Sequence, residues 1–296
     1  MTTMTLERHD DYWRAHFLAM GSPCEVLADT GDRALAARLA DIACGEAQRI
    51  EQKFSRYRDD NIVHRIHCNR GAPVEVDDET AKLLDYADLC YRLSEGLFDI
   101  TSGVLRKVWK FDGSDRVPAA QEIAALLPHI GWNKVTWNKP YLTLPAGMEI
   151  DFGGIGKEYA VDKTAQLLMA DSDTSMVINF GGDLFVTGRR ASGNPWRIGI
   201  DDPDASGRQA LAQLQLGRGG VATSGDARRF LVKDNIRYGH ILNPKTGWPV
   251  RNAPRSVTVA APTCVEAGML TTFAMLQGEN AEKFLTGQEV HHWVVR

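Results

Sequence analysis

Apolar residues fall into two rhythms along this chain. Across residues 13–29 they alternate loosely through Phe17, Leu18, Val26 and Leu27, which predicts a hairpin-like pair of strands. From Asp32 the spacing lengthens to three and four residues, through Leu35, Leu39, Ile42, Ala43, Ala47, Ile50 and Phe54, and predicts a long amphipathic helix. A second helix is predicted after Asp77 and Asp78, with Leu83, Leu84, Ala87, Cys90 and Tyr91 on one face and Gly96 as its stop. A short amphipathic piece from Gln121 to Leu127 precedes a strand-and-turn region around Val135 and Leu142, and Ile155 to Met169 reads as a helix. From Ser175 to Leu242 short apolar runs punctuated by glycine predict antiparallel strands, followed by a helix over Glu266–Leu276 and a last strand at Val290–Val295. Strands and helices are segregated rather than alternating, so the fold class expected is α+β, without an internal boundary across 1–296.

Composition narrows the function classes. With 44% hydrophobic and 24% charged residues and a formal net charge of −4, the chain has a soluble enzyme's make-up and no overall electrostatic footprint for nucleic acid. No apolar run approaches the length of a membrane span, so no membrane partner is expected. The five cysteines are scattered and never spaced as Cys-x-x-Cys, and the first residues lack a basic-then-apolar leader pattern. A reducing cytoplasm is the expected compartment.

Candidate chemistry concentrates in short motifs. The segment Asp151-Phe-Gly-Gly-Ile-Gly-Lys-Glu-Tyr-Ala-Val-Asp162 sets a glycine turn and Lys157 at the start of a helix, an arrangement suited to phosphate oxygens. It is not a Walker loop, since Asp151 and Glu158 stand where that motif needs Gly and Ser or Thr; a plain tight turn is the alternative. Phe54-Ser55-Arg56-Tyr57-Arg58 could stack on a planar ligand, or its cations could serve the helix dipole. Gly96-Leu97-Phe98-Asp99-Ile100-Thr101 follows a helix end, and Asn179-Phe180-Gly181-Gly182-Asp183 joins two strands. Val221-Ala222-Thr223-Ser224-Gly225 is followed by Arg228 and Arg229, and His240 stands just before a Pro-Gly turn. Gly268, Thr271 and Thr272 share one face of the last helix, where the two threonines could also bond the helix's own carbonyls.

Together these segments resemble the ApbE family, the FAD:protein FMN transferases. The family's Met-Gly-Thr is similar to Met20-Gly21-Ser22, its Ser-x-Tyr to Ser55-Arg56-Tyr57, and its Gly-x-Phe-Asp-x-Thr to Gly96–Thr101. Its Asp-x-Gly-Gly-Ile-x-Lys-Gly-Tyr-Ala-x-Asp resembles Asp151–Asp162, with Glu158 in place of a glycine. Ala222-Thr223-Ser224-Gly225 and His240-Ile241-x-x-Pro244-x-Thr246-Gly247 complete the set.

The resemblance implies a two-part, T-fold-related α+β architecture, with antiparallel sheets, flanking helices and an FAD cleft between the parts. It implies FAD contacts from Met20, Tyr57, Leu97, Phe98, Asp99, Asp151, Lys157 and Ile241, and magnesium held by Gly154, Thr271 and Thr272. His240 is the expected general base toward a Thr or Ser hydroxyl of an acceptor protein, with FMN transferred and AMP released. Two departures matter beside Glu158: Gly268 stands where the family has its metal-binding aspartate, and Asn243 replaces a usual aspartate after the histidine. The site is therefore expected to be one carboxylate short, with Glu266, Asp99 or substrate oxygens completing the metal shell and an aspartate at 268 strengthening it. Two other readings follow from the same residues, an FAD-binding protein that has lost its chemistry and an FAD pyrophosphatase.

Overall fold

The computed structural model describes residues 4–69, 71–203, 210–226 and 229–296; Arg228 lies outside them. The chain opens with β1 (Thr5–Arg8), β2 (Trp13–Ala19) and β3 (Ser22–Ala28), and then enters α1 (Arg33–Phe54). Asp32 caps α1, its carboxylate accepting from the backbone N–H groups of Ala34 and Leu35 at 2.8 and 3.3 Å. The buried face of α1 carries Leu39, Ala43, Ala47, Ile50 and Phe54, the stripe its spacing predicts. After α2 (Ile62–Cys68) and β4 (Pro73–Glu75) comes α3 (Asp78–Leu93), capped by Asp77 through Glu79 and Thr80. A 3-10 segment, Ile100–Lys107, leads to α4 (Ala120–Leu126), the small strands β5 (Thr136–Asn138) and β6 (Tyr141–Thr143), and α5 (Gly156–Asp171).

The second half is mainly strand: β7 (Met176–Phe180), β8 (Asp183–Val186), β9 (Trp196–Asp201), β10 (Ala210–Leu216), β11 (Gly219–Gly225), β12 (Phe230–Lys233), β13 (Ile236–Gly239) and β14 (Ser256–Ala261). The chain ends through α6 (Cys264–Leu276), α7 (Ala281–Gly287) and β15 (His291–Val295). An eight-stranded sheet runs β1-β2-β3-β7-β8-β11-β14-β15, and every neighbouring pair in it is antiparallel. Its α1- and α5-covered face holds the main core, and Trp196 and Ile198 of β9 pack on Val177, Leu184, Val186 and Val221 to form a smaller one. The segregated antiparallel strands bear out the α+β reading. No helix among the described residues is long and apolar enough to cross a membrane.

The predicted hairpin, long helices and final strand all form. The short helices α2 and α7 and the strand β14 escape the hydrophobic pattern. β14 is buried along Ser256–Val259, so its residues show no alternation to read.

Two close approaches fix how the last helix sits. A Cβ on Gly220 of β11 would come within 2.3 Å of the Cys264 backbone nitrogen and 2.4 Å of the Thr263 carbonyl carbon. From α5, the Asp162 carboxylate accepts from the backbone N–H groups of Cys264 and Val265, both at 2.9 Å, and so holds the first turn of α6. Gly220→Ala is therefore expected to destabilise the fold by about 1–3 kcal/mol or more. Gly45→Ala, at an exposed position inside α1 where a Cβ meets nothing within 4 Å, is expected to stabilise it by roughly 0.5–1 kcal/mol. Urea denaturation of the two variants checks both signs.

Candidate functional site

A cavity of about 470 Å³ opens beside the end of α6, and segments far apart in sequence meet in it. Arg56 and Tyr57 come from the exit of α1; Leu97, Phe98, Asp99, Ile100, Gly103 and Arg106 come from the turn after α3 and the 3-10 segment behind it. Asp151 and Gly154 come from the glycine turn, Arg229, His240 and Ile241 from the β12–β13 region, and Thr272 and Leu276 from α6. A volume of this order suits a cofactor-sized molecule.

One side is aromatic. Trp109 stacks on Phe111 with centroids 5.6 Å apart, and Phe111 meets the His240 ring edge-on at 6.3 Å. The Trp109 indole N–H donates to the Gly247 carbonyl at 2.9 Å, tying this side to the turn after His240. Gly247 has φ +72°, and a Cβ there would strike Ile123 at 2.4 Å, which accounts for glycine at that turn. Tyr57 stands at the mouth with 80% of its surface exposed, with its hydroxyl accepting from Arg106 at 3.1 Å.

The other side is cationic. Arg56, Arg106, Lys110 and Arg229 line the cavity, with Asp151 as the balancing carboxylate. Asp151 pairs with Arg56 at 3.1 Å and with Arg106 at 3.7 Å, and also accepts from the Gly153 N–H at 2.9 Å. Arg56 donates to the Gly103 carbonyl as well, at 2.9 Å, and a Cβ on Gly103 would lie 2.6 Å from that of Asp151. This close packing sets the floor of the site. Burial, reinforced by the charges of Arg229 and Arg106, lowers the His240 imidazole to about 4. Its Nδ1 is buried and has no hydrogen-bond partner among the described residues. His240 is therefore neutral at physiological pH and can accept a proton.

Behind the glycine turn, α5 and α6 meet. Lys157 pairs with Asp183 at 2.6 Å, and Asp183 also accepts from the Thr223 N–H at 3.3 Å. The Thr271 hydroxyl donates to the Gly268 carbonyl at 2.9 Å and is 2.9 Å from the Ser224 hydroxyl, which lies 3.5 Å from that of Thr272. Glu158 is buried against Gly268, and its Oε2 has no partner among the described residues. Burial, with the nearby Asp183 charge, pushes this carboxyl up to about 8. No group of three or more His, Cys, Asp or Glu side chains among the described residues is arranged to hold a metal. A magnesium ion here would depend on hydroxyl and carbonyl oxygens, one carboxylate and substrate phosphate, a donor set that hard cation accepts. The unpartnered oxygen of Glu158 fits that requirement.

Most residues expected from sequence line this one cavity: Tyr57, Leu97, Phe98, Asp99, Asp151, Gly154, His240, Ile241 and Thr272. Three do not. Met20 occupies the β2–β3 turn at φ +53° and packs on the main core. Lys157 is engaged with Asp183 beside Gly181, whose Cβ position lies 3.7 Å from its Nζ. Thr271 is fully buried and bonded within its own helix. Asp99 reaches the wall with both oxygens committed, Oδ1 to the Thr101 N–H and hydroxyl and Oδ2 to the Trp132 N–H, so it caps the 3-10 segment. Burial raises its carboxyl above the usual range, and those bonds oppose the shift. Arg106, Lys110, Trp109 and Phe111 were not expected; their sequence signal, basic and aromatic residues at the end of a short helix, is the ordinary one for capping and packing.

Comparison with known proteins gives the site a family. The pattern that defines the ApbE family matches residues 20–293. The FAD:protein FMN transferase of Haemophilus influenzae is 30% identical over 242 residues, covering 78% of this chain and 70% of its own. The protein of that name from Klebsiella pneumoniae is 30% identical over 271 residues, covering 89% and 81%. Among solved structures, the ApbE protein of Thermotoga maritima superposes with a TM-score of 0.86 at 31% identity, over 96% of this chain and 94% of its own. The flavinyl transferase ApbE of Pseudomonas stutzeri, in its apo form, gives 0.82 at 27% identity over 100% and 92%. With the family pattern running through nearly its whole length, this chain belongs to the ApbE family of enzymes.

Proposed function

We propose that the chain is an FAD:protein FMN transferase that moves FMN from FAD to a Thr or Ser hydroxyl of an acceptor protein and releases AMP. The observation that carries this reading is the cavity itself, where a neutral His240 with an unpartnered Nδ1 faces a cationic wall and an aromatic one. The relatives' name supplies the reaction class.

The residues divide the work. Tyr57, Phe98 and the aromatic side receive the flavin, and Arg56, Arg106 and Arg229 face the negative pyrophosphate. Asp151 holds Arg56 and Arg106 in place. Gly154 and Thr272, with Glu158 and Ser224 behind them, are the residues that would hold magnesium, which when bound would neutralise phosphate charge. His240 accepts the proton of the acceptor hydroxyl as its oxygen bonds the FMN-side phosphorus; the bond to the bridging oxygen breaks, and that oxygen leaves with AMP. The five free thiols support a reducing compartment such as the cytoplasm as the place of work. The reading of a binding protein without chemistry rests on a missing carboxylate at Gly268, and the Glu158 carboxyl group packed against that position weighs against it.

The direct test is incubation with FAD, Mg²⁺ and a threonine-bearing acceptor, with mass spectrometry expected to show one FMN added to the acceptor; no adduct with any such acceptor would overturn the reading. FAD is expected to bind about 10- to 100-fold more tightly than riboflavin, because two or three charged contacts to phosphate are absent from the latter. Calorimetry checks this, and equal affinities would contradict it. His240→Ala is expected to lower the transfer rate by about 10²–10⁴-fold while FAD affinity stays near wild type, since a general base acts on the transition state; single-turnover kinetics and a binding titration separate the two. The unprotonated imidazole is the active form, so kcat/KM is expected to fall as pH drops through about 4. For kcat, the acid limb is expected at higher pH, because the bound pyrophosphate offsets the Arg229 and Arg106 charges that help lower this pKa. An acid limb in kcat/KM at the ordinary histidine value would show that burial does not govern this group.

A further inference from the structure

The contact between α5 and α6 carries a consequence for the cation site, and it rests on the transferase reading above. A Cβ placed on Gly268 would lie 2.5 Å from the Glu158 Cγ, 2.8 Å from its Oε1 and 2.9 Å from its Cδ. The Glu158 side chain therefore fills the volume in which any side chain at 268 would begin. The space admits one carboxylate, and which helix supplies it is a matter of sequence.

Glu158 is only 7% exposed, and its Oε2 is unpartnered among the described residues. The charged groups around it are otherwise engaged. Lys157 bonds Asp183 at 2.6 Å, Asp183 also accepts from the Thr223 N–H, and Asp162 caps the first turn of α6 through Cys264 and Val265. Three carboxyl groups thus share this region with one ammonium, and the Glu158 Oε2 is the one buried carboxyl oxygen of the three left without a partner among the described residues. A buried carboxylate in that position adds no stability to the fold by itself. Thr272 stands one helical turn along α6 from Gly268, and Gly154 lies in the glycine turn just before α5; both are on the cavity wall.

We propose that Glu158 is the carboxylate ligand of the divalent-cation site, reaching from α5 into the space that Gly268 leaves open on α6. Positions 158 and 268 form an exchangeable pair, acid on one helix and glycine on the other. An aspartate at 268 alone does not strengthen the site, contrary to the expectation from sequence, because it collides with Glu158.

The test uses the full chain loaded with FAD, with Mn²⁺ as a paramagnetic probe titrated by electron paramagnetic resonance and competed with Mg²⁺. Glu158→Gln keeps shape and volume, and is expected to weaken Mn²⁺ binding about 10- to 100-fold or more. FAD affinity measured by flavin fluorescence in EDTA should stay unchanged. Gly268→Asp alone is expected to lower thermal stability without tightening Mn²⁺, and the double variant Glu158→Gly with Gly268→Asp is expected to recover both. Wild-type Mn²⁺ affinity in Glu158→Gln, no Mn²⁺ binding by the wild type at millimolar concentration, or no recovery in a folded double variant would each overturn the proposal. FAD failing to bind in EDTA would instead count against the transferase reading, so the two failures are distinguishable.

Discussion

The register of α6 against α5 and β11 is the constraint on which the site depends. Asp162 fixes the start of α6 by accepting from two of its first backbone N–H groups, groups that no helix can satisfy internally. Gly220 lets β11 approach the same turn more closely than any side chain would permit. Tyr86 of α3 adds a third tie, its hydroxyl donating to the Val265 carbonyl at 3.2 Å. With its first turn held from three sides, α6 cannot rotate, so Thr272 and Leu276 face the cavity while Thr271 is turned inward onto Ser224. A rotation of one residue would exchange the roles of the two threonines.

The second constraint is electrostatic and works through His240. A cavity lined by Arg56, Arg106, Lys110 and Arg229, with Asp151 paired to two of them and Asp99 bonded within its own turn, is suited to a polyanion and disfavours a further positive charge. The imidazole sits in that field and is largely shielded from water, so its neutral form is favoured by both effects. The same arginines that would attract a pyrophosphate thus help burial keep the imidazole neutral. A bound pyrophosphate would cancel part of that field and make the imidazole more basic. Asp99 shows the opposite arrangement: a buried carboxylate whose oxygens all accept from nearby donors is spent on shape. It stiffens the turn that places Leu97 and Phe98, and its contribution to a ligand passes through that turn.

Much of the fold was legible in the chain because its long elements are half-buried. α1 and α3 each expose one face, so apolar residues recur at helical spacing, and an aspartate opens each of them. β14 and α6 are buried more evenly; α6 was found and β14 was not, because a short run buried throughout has no period to read. The cavity was legible through four of its motifs, those of Tyr57, Leu97–Asp99, Asp151–Gly154 and His240–Ile241, which place turns or helix ends at the same opening. Arg106 and Trp109 were not, since only the 3-10 path from Ile100 to Lys107 turns them toward Asp151 and the turn after His240. Glu158 and Gly268 make the same point at closer range. Each was visible as a departure from the family, a glycine lost at one position and an aspartate lost at the other, and sequence order holds them on separate helices. Only the packing of α5 on α6 shows that the two changes meet in one volume, where the loss of a side chain from one helix is the condition for the side chain that enters from the other.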